Sequence, residues 1–279
     1  MNFDRILPTI DVDAMQQSKV IIVGGAYGLA RDLVRCGLGS ITLIDYDRVD
    51  ASNPPRQDFY STDLGLYKME ATRADLKRIN PDVEVSVHLR DFCSISAEEF
   101  ESQYGDADLI VMATDFFPAS ARANQESLRL DIPVVYISLY GRGRAGEIIW
   151  YIPGHSEACY RCIASPRYKT FMAGGVVNVP SVGGTILDLR LVDAIAGHVA
   201  VGILTRGADN RMGRLIDQLG QRNLLQVKID PEYRLGDRDI FAERLGDSPA
   251  NFSFTTIALQ VDAEPDCPDC AHLRASQRV

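Results

Sequence analysis

The chain has 279 residues, 46% of them hydrophobic, enough apolar material for a large buried core, which excludes a disordered tail. A formal charge of −9 without any clustered run of Lys and Arg excludes a surface built to coat nucleic acid. No apolar window approaches the roughly 18 residues needed to cross a bilayer, and no basic leader precedes one, so an acidic enzyme of the cytoplasm, without membrane contact, is expected.

From Lys19 to about Ile137 short β-branched runs alternate with helical segments. "KVIIVG" leads into a helix through "LARDLVRC", "SITLID" into one through "KMEATRADLKRI", and "VEVSVHL" and "ADLIVMATD" into one near "SARANQESLRL", before "PVVYIS". This order predicts an α/β fold with a doubly wound, mostly parallel Rossmann-like sheet whose ligand side is the carboxyl edge of the strands. "GRGRAGEIIWYIPG" reads as a β-hairpin or paired extended segments, and "GGTILDLRLVDAIAGHVAVGILTRG" as a long helix covering the sheet. "LLQVKID" and "FSFTTIALQVD" read as two strands flanking a charged segment, residues 231–251, for which partner recognition and a mobile surface loop are equal alternatives. The chain is expected to form a single domain, 1–279, with a nucleotide-binding core over 19–140 and a C-terminal portion over 141–279.

"IIVGGAYGLARDL" places a glycine turn between the first strand and helix. Such a turn offers backbone N–H groups to an anion, but the spacing of Gly24, Gly25 and Gly28 is G-G-x-x-G, not the dinucleotide G-x-G-x-x-G, and the glycines equally suit a tight crossover alone. Asp45 and Asp47 end the second strand, where an acidic group commonly holds a ribose hydroxyl, of a nicotinamide or an adenosine nucleotide alike. Asn53, Arg56, Gln57 and Lys68 follow, a polar and cationic set suited to a triphosphate, because Arg presents a planar fork to phosphoryl oxygens and Lys a point charge.

The run "DYDRVDASNPPRQDFYSTDLGLYKMEATRADLKRINPDVEV" resembles the ThiF/MoeB-type adenylyltransferases, bacterial relatives of the ubiquitin-activating enzymes. Asp45, Asp47, Ser52, Asn53, Arg56, Gln57, Gly65, Lys68, Asn80 and Pro81 fall at matching steps, and the next strand ends in "ATD". The resemblance implies that Asp47 binds the ATP ribose, that Asn53, Arg56 and Lys68 contact the phosphates, and that Asp115 holds Mg²⁺. It further implies that Arg5 reaches the γ-phosphate bound by a neighbouring subunit, and hence a homodimer. The partner it implies is the C-terminus of a small ubiquitin-like or sulfur-carrier protein, or of a peptide, activated as an acyl-adenylate.

Four of the six cysteines form two C-x-x-C pairs, Cys159 with Cys162 and Cys267 with Cys270. Two thiolate pairs complete a tetrahedral shell with no open position, so a structural Zn²⁺ site is expected, fastening the C-terminal tail. Loss of that metal is expected to loosen the tail before it reaches the nucleotide pocket. Cys36 and Cys93 read as buried or half-buried thiols, and the four histidines share no ligand spacing. The loop after the first pair, "IASPRYKTFMAGGVVNVPSVGG", contains no cysteine to receive the activated acyl group, which favours adenylation alone.

Three features depart from the family pattern. The glycine turn and its helix are shorter by nearly one helical turn. Phe116 stands where the family commonly has Asn, with Arg122 two residues later than the usual Arg, and residues 231–251 lengthen the tail. An inactive binding or scaffold protein with a degenerate phosphate loop is the alternative reading; an NAD-dependent dehydrogenase lacks its glycine fingerprint here.

Overall fold

In the computed structural model Lys19–Gly24 forms β1. The structure describes residues 1–178, 182–246 and 251–276. Short α1 (Val12–Gln17) precedes β1, its first turn capped by the Asp11 carboxylate accepting from Ala14 N–H at 3.1 Å. Then follow α2 (Tyr27–Arg35), β2 (Ser40–Ile44), α3 (Lys68–Ile79), β3 (Glu84–His88), α4 (Ala97–Tyr104), β4 (Leu109–Ala113), α5 (Phe117–Leu130) and β5 (Val134–Leu139). The second half adds β6 (Ala145–Tyr151), α6 (Tyr160–Ile163), α7 (Ser165–Met172), α8 (Ile186–Leu204) and α9 (Leu215–Leu219). It ends with β7 (Arg222–Lys228), α10 (Ile240–Leu245), β8 (Thr255–Gln260) and α11 (Ala271–Ser276).

One sheet of eight strands runs β3-β2-β1-β4-β5-β6-β7-β8. The first five are parallel and the last three antiparallel, so the expected doubly wound half is extended by a meander. Alternation along β1 sends Val20 and Ile22 to one face and Ile21 and Val23 to the other, and both faces are buried. The first face packs on α2, α3 and α8; the second on α4, α5 and the first cysteine pair. α8 starts at a capping box in which Thr185 and Asp188 satisfy one another's backbone N–H groups, which explains why the long apolar run begins its helix there.

"GRGRAGEIIWYIPG" supplies one strand, not two. Arg142 and Gly143 both take left-handed backbone angles, φ 64° and 66°, and fold the chain sharply so that β6 pairs back on β5. The charged segment is not a loose loop over its described length: Tyr233, Ile240 and Phe241 are buried against Ala145 and Ile257. Residues 247–250 lie outside the described residues.

Candidate active site

The carboxyl ends of β3, β2, β1, β4 and β5 open on one cavity of about 530 Å³, within the roughly 300–1,000 Å³ of small-molecule sites. Gly24, Gly25, Asp45 and Asp47 line it, with Asn53, Arg56, Gln57 and Lys68 from the following loop and helix start, and Asp115 from the β4 edge. Arg5 is exposed on the N-terminal segment and does not line this chain's cavity.

The glycine turn is closed on itself. Gly24 has φ +82°, and a Cβ there would stand 2.7 Å from the Ala113 carbonyl oxygen. Gly25 N–H donates to that carbonyl at 2.8 Å and Tyr27 N–H to Gly25 O at 2.9 Å. The amide of Leu29, two residues on, donates to the carboxylate of Asp193, a buried residue of α8 that sits so close to Gly28 that a Cβ there would be 2.8 Å from its Oδ2. Burial pushes the Asp193 carboxyl up to about 7; the Leu29 N–H opposes this, while Asp58 and Asp32 add to it. Several of the turn's donors are thus spent inside the protein, and neutralising a polyphosphate falls mainly to side chains.

Those side chains are held in place by the segment that carries them. Lys68, buried at the start of α3, pairs with Asp47 at 2.9 Å, and its own N–H donates to the Asp47 carbonyl. Asp45 lies beneath, accepting from Asp47 N–H at 2.9 Å and from the Tyr27 hydroxyl at 3.2 Å; burial raises its carboxyl. Asp47 is therefore the more exposed of the two, and the one free to meet a hydroxyl at the mouth. Asn53 builds the turn, its Oδ1 accepting from Asp50 N–H and its carbonyl from Arg56 and Gln57 N–H. Arg56 Nε donates to Gly184 O at 3.1 Å, tying this turn to the start of α8. Gln57 Oε1 is buried without a partner, an acceptor awaiting a donor at a cavity wall.

Spacing did not reveal the remainder of the wall. Arg90, Asp91 and Phe92 close it beyond β3, and Ser138, Tyr140, Tyr160 and Arg167 close the opposite end beyond β5. These come from five separate elements, and only the position of each strand's carboxyl end hinted at them.

Cys159, Cys162, Cys267 and Cys270 are buried, with their sulfur atoms all within 4.8 Å of one another. The separations of 3.9, 3.8 and 3.6 Å suit the roughly 3.8 Å between thiolates bound 2.3 Å from one tetrahedral Zn²⁺. Outer contacts complete the centre. Arg274 Nη1 lies 2.7 Å from Cys270 Sγ, and Asn124 of α5 donates to Cys159 Sγ and to Asp269 while accepting from Tyr160 N–H. Tyr160 sits between the first two cysteines and also lines the cavity, stacked on Tyr136 at 3.9 Å. The cysteine cluster and the cavity therefore share a wall, closer than a staple confined to the tail. Cys36 and Cys93 are half-buried, with burial raising both thiols.

The ThiF family model matches residues 2–229. The chain belongs to the ThiF family. It is 28% identical over 210 residues to the sulfur carrier protein ThiS adenylyltransferase of Escherichia coli (strain K12), covering 71% of this chain and 82% of that protein. It is 32% identical over 214 residues to the adenylyltransferase and sulfurtransferase MOCS3 of Drosophila sechellia, covering 72% of this chain but 46% of that longer protein. In fold, this ThiF-family chain is similar to the crystal structure of E. coli MccB with ATP, at a TM-score of 0.67, 18% identity, and coverage of 93% of this chain and 68% of that one. Among the described residues no helix is long and apolar enough to cross a membrane.

Proposed function

We propose that this protein is an ATP-dependent adenylyltransferase of the cytoplasm that activates the C-terminal carboxylate of a small ubiquitin-like or sulfur-carrier protein, or of a peptide. The observation that carries the reading is the convergence of Asp47, Asn53, Arg56, Lys68 and Asp115 on one cavity at the carboxyl edge of the sheet. The substrate carboxylate oxygen attacks the α-phosphorus of ATP, the bond to the bridging oxygen breaks, and pyrophosphate leaves with its electron pair. The charge that shifts onto the leaving group is met by Arg56 and Lys68, which are fixed before substrate arrives, so little reorganisation is paid during the step. Asp47 receives the ribose, and Gln57 supplies a further acceptor.

Asp115, exposed at the β4 edge, is the residue to hold Mg²⁺, which would offset charge on the phosphates. The cysteine centre takes Zn²⁺ as a closed structural site. The crossover segment carries no thiol, so the acyl-adenylate passes to another protein. Arg5, exposed and outside its own cavity, is assigned to the site of a second copy in a homodimer.

Calorimetry with ATP and Mg²⁺, followed by ATP–pyrophosphate exchange with co-purified small carriers, tests the reading. Binding and exchange that depend on Arg56 and Lys68 are expected. Folded, zinc-loaded protein that binds no ATP overturns it and leaves a scaffold protein.

A further inference from the structure

The sheet carries a buried polar row that its packing does not call for. Ser138 on β5 is in register with Glu147 on β6, and Glu147 with Gln226 on β7, on the face otherwise filled by Tyr136, Ile149 and Leu224. Glu147 and Gln226 are 6% and 1% exposed. Arg167, reaching over from α7, donates from Nη2 to Glu147 Oε1 at 2.7 Å, while Tyr140 OH and Gln226 Nε2 donate to Glu147 Oε2 at 2.7 and 2.9 Å. Burying an ion pair in a sheet rarely adds net stability over apolar residues of the same volume, so such a pair beside a cavity calls for a further role.

Its position supplies one. Arg167, Tyr140 and Ser138 line the same cavity as Lys68 and Asp115, at the opposite end from Lys68. With neighbouring strands about 4.8 Å apart, β5 and β6 stand one and two spacings beyond the β4 edge where Asp115 sits, roughly 5–10 Å. A substrate residue whose carboxylate reacts at that edge has its own side chain within that reach. Nη2 makes the hydrogen bonds of the Arg167 guanidinium to Glu147 and Tyr140, the guanidinium also meets the Tyr160 hydroxyl, and the five-donor fork keeps further N–H groups for a ligand. Glu147 cancels the positive charge of Arg167, so the subsite offers donors without net charge. An uncharged oxygen suits it; a second carboxylate beside Glu147 is repelled.

Resting on the adenylation reading above, we propose that Arg167 is a specificity-determining residue: with Ser138 and Tyr140 it receives the side chain of the acyl substrate's terminal residue, which carries an uncharged oxygen acceptor, a hydroxyl or a carboxamide, and is not glycine. A site built to pair such a group rejects a substrate that lacks it, because its own donors are then left unmet.

The test uses non-hydrolysable acyl-adenylate mimics, the 5′-O-(N-aminoacylsulfamoyl)adenosines of glycine, alanine, serine, asparagine and aspartate, titrated calorimetrically into the full-length zinc-loaded chain. The seryl or asparaginyl mimic binds at least about tenfold more tightly than the glycyl and alanyl mimics, and the aspartyl mimic gains no such advantage. In the double variant R167M/E147Q, which removes the buried pair together so that no lone charge is left, the seryl and asparaginyl mimics lose their advantage over the glycyl mimic. Wild-type protein that binds all five equally, a preference for the aspartyl mimic, or an advantage that survives in the double variant overturns the assignment of Arg167 and leaves the adenylation reading standing. Folded protein that binds none of the mimics overturns the adenylation reading and this inference with it.

Discussion

The two ends of the cavity are built in different ways. The end proposed for the nucleotide is assembled from one continuous stretch, in which Asp45 to Lys68 forms a strand end, a turn and a helix start, cross-braced by the Lys68–Asp47 pair and the Asn53 turn. The end proposed for the acyl group draws Ser138, Tyr140, Glu147, Arg167 and Gln226 from three strands, the turn after β5 and a helix, and that helix follows directly on the first cysteine pair. A local stretch is rigid by its own hydrogen bonds, whereas a composite wall depends on whatever fixes its parts. The acyl end is therefore expected to depend on the metal centre more than the nucleotide end does.

Removing the metal is the largest way to break that contrast. Zn²⁺ held by the two cysteine pairs would join distant segments of the chain, and its loss would leave four buried thiols crowded together without the ion that organises them. Chelation is expected to expose residues 264–276 to limited proteolysis and to weaken acyl-adenylate mimics more than ATP, because Tyr160 is shared by the metal centre and the cavity. Equal loss of both affinities on calorimetry would remove the distinction between the two ends.

Charge removal at the nucleotide end comes next. Arg56→Ala and Lys68→Ala are each expected to lower ATP–pyrophosphate exchange by about 10²–10³-fold, the usual cost of losing one preorganised group facing developing charge. Melting temperature should barely move: Arg56 gives up one hydrogen bond to Gly184, and Lys68 an ion pair with a half-exposed Asp47. An exchange rate that falls only in step with stability would deny these residues their role.

A backbone change at the glycine turn has a smaller effect. Gly24→Ala combines a left-handed φ with a Cβ 2.7 Å from a backbone oxygen that cannot move without disturbing β4. A loss of about 2 kcal/mol in urea unfolding is expected. Gly25→Ala, with a non-positive φ and a nearest neighbour at the end of the Gln57 side chain, is expected to cost less and to report on the cavity instead. A reversal of that order would mean the turn is not closed on Ala113.

That Asp45 to Lys68 meet at one cavity was legible for the same reason that stretch is rigid: its groups lie close together in the chain, so spacing encodes geometry. The five parallel strands were legible too, since each β-branched run alternates with a helix and both faces bury. The four cysteines declared themselves through ligand chemistry. The row from Ser138 to Gln226 did not, because strand register joins residues 79 apart that no local period relates. The turn at Arg142 and Gly143 was misplaced as part of a hairpin strand, since a non-glycine residue with positive φ leaves no mark in a hydrophobic pattern. Asp193 was hidden in the same way: nothing in an apolar helix run indicates that one carboxylate reaches across to the start of α2.

Asp193 gives the finest test, because it carries a non-local feature into the otherwise local nucleotide end. Its carboxyl is raised from the ordinary carboxylate value of 3.8 to about 7 by burial, so the folded state holds this proton where the unfolded chain has released it. The resulting contribution to stability is fully present below the unfolded value and is lost as pH rises through about 7. Asp193→Asn keeps an acceptor for Leu29 N–H but cannot titrate, so the variant should gain on the wild type as pH rises through that window. Between about pH 5.5 and 6.5 the gain is about 1 kcal/mol, close to the limit of 1.4 kcal/mol per pH unit for one proton. Urea unfolding of both proteins at the two pH values measures it, and an unchanged difference would mean that Asp193 stays ionised under α2.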